Sequence, residues 1–108
     1  MAMRRGEIWW ANLPPPWGRR PVLLLTRDSA YAVLTWVVAA PLTTNIRGIR
    51  SAVTLDPAID GVPRACAVTL DNLMAVNVGW IDDFITRLTP ARMVAVEEAI
   101  HYTLSLSI

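Results

Sequence analysis

Three stretches of this chain collect side chains that can do chemistry: residues 17–20, 43–50 and 69–72. The first carries Trp17, Arg19 and Arg20, the second Thr43, Thr44, Asn45, Arg47 and Arg50, and the third Thr69, Asp71 and Asn72. Each adjoins the end of an apolar segment, so a small barrel could bring all three to one rim. That rim would combine guanidinium groups, hydroxyls, amides and one carboxylate, with no metal. The distribution of charge points the same way. Arg4, Arg5, Arg19, Arg20, Arg27, Arg47 and Arg50 place seven of the ten basic residues in the first half, and the chain has no lysine. Arginine is the cation suited to a bidentate grip on phosphate. Plainer uses exist for every one of these residues. A net charge of +1 announces no nucleic-acid partner, and the arginines could be scattered solubilising charge. Arg20 could sit in a surface ion pair, Thr43 could cap a turn, and Asp71 with Asn72 is ordinary turn chemistry. Trp17 could stack an unpaired base or cover the barrel end.

Other chemistries lack their residues. His101 is the single histidine, which excludes a paired-histidine acid/base mechanism, and its helical context suits a structural position. There is no Ser-His-Asp triad, Walker loop, GxGxxG turn or metal-ligand cluster, and the Asp and Glu residues are too dispersed for a two-metal nuclease. No cofactor is expected. One cysteine, Cys66, excludes an internal disulfide framework and reads as a small core residue in a reducing compartment.

The elements that must position these residues are short. At 108 residues the expectation is one domain spanning residues 1–108. "GEIWWAN", residues 6–12, reads as a first strand in which Trp9 and Trp10 alternate, so that at least one is core. Pro14, Pro15 and Pro16 stop it and Gly18 supplies a turn. Residues 21–26 form a second strand, apolar on both faces and therefore central. Residues 32–42 form a third, closed by Pro41. Residues 51–55, 65–70 and 74–81 add three more, and "DPAIDGVPR" between them is turn chemistry. Closely spaced strands with no helix between them predict a mainly β fold (α+β), a small barrel. A C-terminal helix follows: Thr89 caps it, Pro90 opens it, and Met93, Val96, Ile100 and Leu104 recur at helical spacing.

Hydrophobic residues make up 54% of the chain, with five tryptophans. A unit this small cannot hide so much apolar surface comfortably, which predicts an apolar subunit interface. No apolar run approaches the roughly 20 residues that span a bilayer, and residues 8–11 are too short for a signal-peptide core. A cytoplasmic protein is expected.

The segments "RRGEIWWANLPPP", "GRRPVLLLT", "APLTTNIRGIRSAVTL" and "VTLDNLMAVN", followed by a terminal helix, resemble the MazF/PemK family of toxin endoribonucleases. The match runs in order through nearly the whole chain. It implies an SH3-like barrel, a homodimer, metal-independent cleavage of single-stranded RNA at short sequences, and a small antitoxin whose acidic, apolar tail covers the active groove. The family's catalytic arginine precedes the proline of its second strand, here Arg20 before Pro21. Its catalytic hydroxyl is the first residue of the Thr-Thr or Thr-Ser pair after the third strand, here Thr43. An aspartate of the later strand-end motif matches Asp71, but Thr69 stands where some members carry arginine, which favors Arg20 with Thr43 as the operating pair. RNA contacts are expected from Trp17, Arg19, Thr44, Asn45, Arg47, Arg50, Thr69 and Asn72. The products implied are a 2′,3′-cyclic phosphate and a 5′-hydroxyl. Gyrase poisons of related fold offer a non-catalytic alternative, but they act through a Trp-Gly-Ile end, whereas this chain ends Leu106-Ser107-Ile108.

Overall fold

The computed structural model describes residues 2–106, so the final Ser107 and Ile108 lie outside the described residues. Seven strands run in the order β1 (Glu7–Asn12), β2 (Arg19–Leu24), β3 (Trp36–Thr43), β4 (Ala52–Leu55), β5 (Cys66–Thr69), β6 (Met74–Asn77) and β7 (Ile81–Arg87). Two helices complete the set: α1 (Pro57–Asp60) and α2 (Pro90–Thr103). All strand pairings are antiparallel, in the order β4-β5-β3-β2-β1-β7 with β6 beside β3. The sheet curls into a small barrel that stays open, because β4 and β7 lie at its two ends.

Strand β3 organises the site. Its first half, Trp36 to Ala39, pairs with β6, while Leu42 and Thr43 pair with Val68 and Ala67 of β5. One strand therefore serves two sheets, and Thr43 is delivered where they diverge. Strand β2 is central as its composition requires: Val22, Leu23 and Leu24 are all fully buried. The two faces bury different clusters. Ile8, Leu23, Leu42, Val53, Val68 and Leu70 cluster with Val96 of α2, and Trp9, Val22, Leu24, Val37, Val76 and Ile81 form a second cluster. Trp9 is buried and Trp10 half-buried. Cys66 is a core residue, and burial pushes its thiol up to about 11.

Four expectations need correction. Strand β2 begins at Arg19, so Arg19 and Arg20 belong to a strand and not to the preceding loop; they pair with Asn12 and Ala11. Strand β3 begins at Trp36 and not at residue 32. Residues Asp28–Ala30 form a 3₁₀ turn whose Ala30 carbonyl accepts the amides of Val33 and Leu34, satisfying that backbone locally. The expected strand 74–81 is broken after Asn77, whose side chain accepts the Gly79 amide and turns the chain at Val78–Trp80. Strand β7 follows, pairing with β1 through two register shifts. Finally, the 56–64 segment is not turn alone: Asp56 caps α1 through the amides of Ala58 and Ile59, Pro57 opens it, and Gly61 closes it at a φ of 75°.

In α2, Thr89 caps the helix by accepting the Arg92 amide. Val96 is buried and Met93 and Ile100 pack against the core, but Leu104 falls past the helix end and is exposed. No described helix is long and apolar enough to cross a membrane.

Candidate active site

Arg20 is the second residue of β2, and the strand register carries its side chain toward the end of β3. Its Nε donates to the Trp17 carbonyl at 3.1 Å and its Nη1 to the Leu42 carbonyl at 3.4 Å. The guanidinium lies 5.1 Å from the centre of the Trp17 ring. Among the described residues it has no carboxylate partner, so its charge is oriented by neutral acceptors and left uncompensated. Such a cation is held ready for an anion.

Thr43 ends β3. Its hydroxyl oxygen accepts the Asn45 amide at 3.1 Å, a local turn that fixes the side chain and leaves its O–H free to donate elsewhere. Thr69, at the end of β5, donates to the Pro41 carbonyl at 2.8 Å and so ties the two strand ends together. Asp71 and Asn72 lie in the 3₁₀ turn Leu70–Asn72. The exposed Asp71 carboxylate accepts a short hydrogen bond from the buried Ser51 hydroxyl, while the Leu70 amide donates to the Ser51 carbonyl.

These residues bound two clefts. The polar cleft, about 260 Å³, gathers Trp17, Arg20, Thr43, Asn45, Arg47, Thr69, Asp71 and Asn72, with Ser51 among its walls. The apolar cleft, about 320 Å³, lies on the other side of Arg20 and Thr43 and shares both; Arg19 and Thr44 line it. Ten of the eleven expected site residues thus border one of the two. Arg50 does not: its guanidinium lies 4.1 Å from the centre of the Tyr102 ring, against α2. His101 borders that same groove and neither cleft.

Arg19 is present but already engaged. It donates to Asp82 at 2.7 Å, to Asp83 at 3.2 Å and to Asn12 at 3.0 Å, and it lies over Trp10. The hydrogen bond from Arg19 holds the Asp82 carboxyl below the ordinary carboxylate range.

Sequence reasoning missed Ser51, and it missed Trp10, Pro63, Arg64 and Cys66 in the apolar cleft. Trp10 carried a signal in its alternation with buried Trp9; Arg64 carried none, because only the turn before β5 swings it to this rim. Among the described residues, no three His, Cys, Asp or Glu side chains gather as a metal site would need.

The open antiparallel barrel thus brings an arginine at the start of β2 and a threonine at the end of β3 to one rim. The chain belongs to the PemK-like, MazF-like toxins of type II toxin-antitoxin systems, whose family model matches residues 4–104. A probable endoribonuclease MazF5 of Mycobacterium tuberculosis (strain ATCC 25618 / H37Rv) is 41% identical over 103 residues, covering 95% of this chain and 94% of that protein. The solved Mycobacterium tuberculosis toxin MazF-mt6 superposes with a TM-score of 0.85 at 33% identity, over 94% of this chain and 99% of its own. An endoribonuclease in complex with its cognate antitoxin, from a mycobacterial species, superposes with a TM-score of 0.86 at 26% identity over 99% of each chain.

Proposed function

We propose that this chain, acting as one domain, is a sequence-specific endoribonuclease toxin that cleaves single-stranded RNA without a metal and is neutralised by a cognate antitoxin. The observation that carries the reading is the pairing of an uncompensated guanidinium, Arg20, with a free hydroxyl donor, Thr43, on the ridge between two clefts. Names borne by the relatives support the substrate class and the antitoxin.

In the reaction, a ribose 2′-hydroxyl attacks the adjacent phosphorus, the bond to the 5′-oxygen breaks, and that oxygen takes up a proton from water. The nucleophile belongs to the substrate. Arg20 holds the non-bridging oxygens as they gain charge, a preorganised effect of about 3–4 kcal/mol by analogy with a lost oxyanion donor. Thr43 donates to the phosphate and fixes its position; a neutral hydroxyl is too weak a base to take the 2′-hydroxyl proton. Asp71 is the base, since Ser51 occupies one carboxylate oxygen and leaves the other for the 2′-hydroxyl proton.

The active form is a cytoplasmic homodimer. Val33 is 75% exposed, Trp36 50% and Val38 46%, and Trp36 meets Trp80 edge to face beside them. An apolar strip of this kind suits burial against a second copy. The chemistry is tested by mass spectrometry of the cleaved RNA: 2′,3′-cyclic phosphate and 5′-hydroxyl ends are expected, and 3′-hydroxyl with 5′-phosphate ends would defeat the mechanism.

A further inference from the structure

Three polar side chains are buried among the described residues: Glu7, Ser51 and Asp60. Two of them hold the fold together. Glu7 accepts from the Arg4 amide and the Trp9 indole, and Asp60 pairs with Arg92 and accepts the Asp56 amide. Of the three, Ser51 alone lies in a wall of the polar cleft, and its hydroxyl donates to Asp71. Resting on the assignment of Asp71 as base given above, we propose that Ser51 is a positioning residue for the cleavage reaction. It fixes the Asp71 carboxylate in the orientation from which the free oxygen takes the 2′-hydroxyl proton.

Ser51 is itself fixed by its neighbours in sequence. Arg50, directly before it, lies over the Tyr102 ring; the Ala52 amide closes a turn on the Ile49 carbonyl; and Ala52 opens β4 in register with Thr69. From that position Ser51 reaches the 3₁₀ turn Leu70–Asn72 twice. Its carbonyl accepts the Leu70 amide at 2.9 Å, and its hydroxyl donates to Asp71 one residue further on. Leu70 is a core residue, so the turn is held by packing through Leu70 and by hydrogen bonds through Ser51.

Asp71 needs such a hold. It is exposed and forms no ion pair among the described residues, and an unrestrained side chain spreads over the staggered rotamer wells. The Ser51 hydroxyl selects one orientation, and a preset geometry of this kind is what a proton transfer requires. A hydroxyl has one proton to give, and Ser51 gives it to Asp71. Its effect on the reaction therefore runs through the carboxylate and not through a donated bond to the phosphate.

The test is a double-mutant cycle on cleavage of single-stranded RNA, with kcat and KM measured separately. Ser51→Ala removes the hydroxyl and keeps the backbone carbonyl that holds Leu70, so the turn persists. It should lower kcat about tenfold, more than the roughly threefold of rotamer spreading alone and less than the roughly 10²-fold or greater loss expected of Asp71→Asn. KM should change less than about twofold, since substrate binding is not what Ser51 serves. Ser51→Thr, which keeps the donor, should recover most of the rate. In the Asp71→Asn background, Ser51→Ala should change kcat less than about twofold, because no base remains to be positioned. A wild-type kcat in Ser51→Ala, or the same loss in both backgrounds, would overturn the proposal and leave Ser51 to the fold or to a direct RNA contact. Asp71→Asn that cleaves as fast as the wild type would instead remove Asp71 as the base, and the proposal with it.

Discussion

At the start of β2 the pleat separates two adjacent arginines. Arg19 turns toward Asp82 and Asp83 and is bound by both; Arg20 turns toward the carbonyls of Trp17 and Leu42 and meets no carboxylate among the described residues. The two side chains have the same chemistry, the same strand and nearly the same height on the barrel. What differs is the neighbour's charge. Arg19 is neutralised and serves to brace Trp10, whereas Arg20 is oriented but uncompensated, and only such a cation gains by meeting a phosphate. The lesson is that the surroundings, and not residue type, decide which arginine is available for chemistry.

That contrast can be broken or sharpened by mutation. The largest effect is expected from Arg20→Ala, which should lower kcat for RNA cleavage about 10²–10³-fold, the cost of one lost preorganised donor; single-turnover rates measure it. Arg19→Ala should fall far short of that, and a comparable loss would erase the distinction. Thr43→Ala is expected to cost about tenfold in kcat through lost positioning, with Thr43→Ser recovering most of the rate. Arg47, which lines the polar cleft, should act on affinity: Arg47→Ala should lower the salt slope of RNA binding by about 0.7. Arg50→Ala, removed to the Tyr102 face, should leave that slope unchanged.

The smallest effect concerns Asp82. Its folded-state pKa is depressed by Arg19, so the pair's contribution to stability is present above the unfolded aspartate range and is lost as pH falls through the lowered value. Carboxyl chemical shifts should show Asp82 titrating below the ordinary range in the wild type and within it in Arg19→Ala. Coincident titrations would show that Arg19 is not engaged, and its separation from Arg20 would fail.

Local chemistry marked Arg20 and Thr43 only as polar residues at strand ends; the resemblance to the MazF/PemK segments, with Arg20 directly before Pro21 and Thr43 two residues after Pro41, singled them out as a pair. The central strand β2 was plain from its unbroken aliphatics. Strand β7 was hidden because only Ile81 is buried among its seven residues and its pairing with β1 shifts register twice, so no alternation survives. The early end of β6 depended on one side chain, Asn77 folding over the Gly79 amide. Arg50 read as part of the basic loop, yet the chain between Thr43 and Ser51 crosses far enough to place it over Tyr102. The apolar cleft was illegible for a more general reason. Trp10, Leu42 and Arg64 are far apart in sequence, and nothing local marks residues that only a tertiary fold unites.

The central claim is that an uncompensated arginine cleaves RNA without help from a metal. Incubating single-stranded RNA with the protein in excess EDTA, alongside Arg20→Ala at equal concentration, tests it directly. Cleavage by the wild type that EDTA leaves undiminished and the variant all but abolishes is the predicted result. Activity lost to EDTA and restored by a divalent cation, or retained in full by Arg20→Ala, would contradict it.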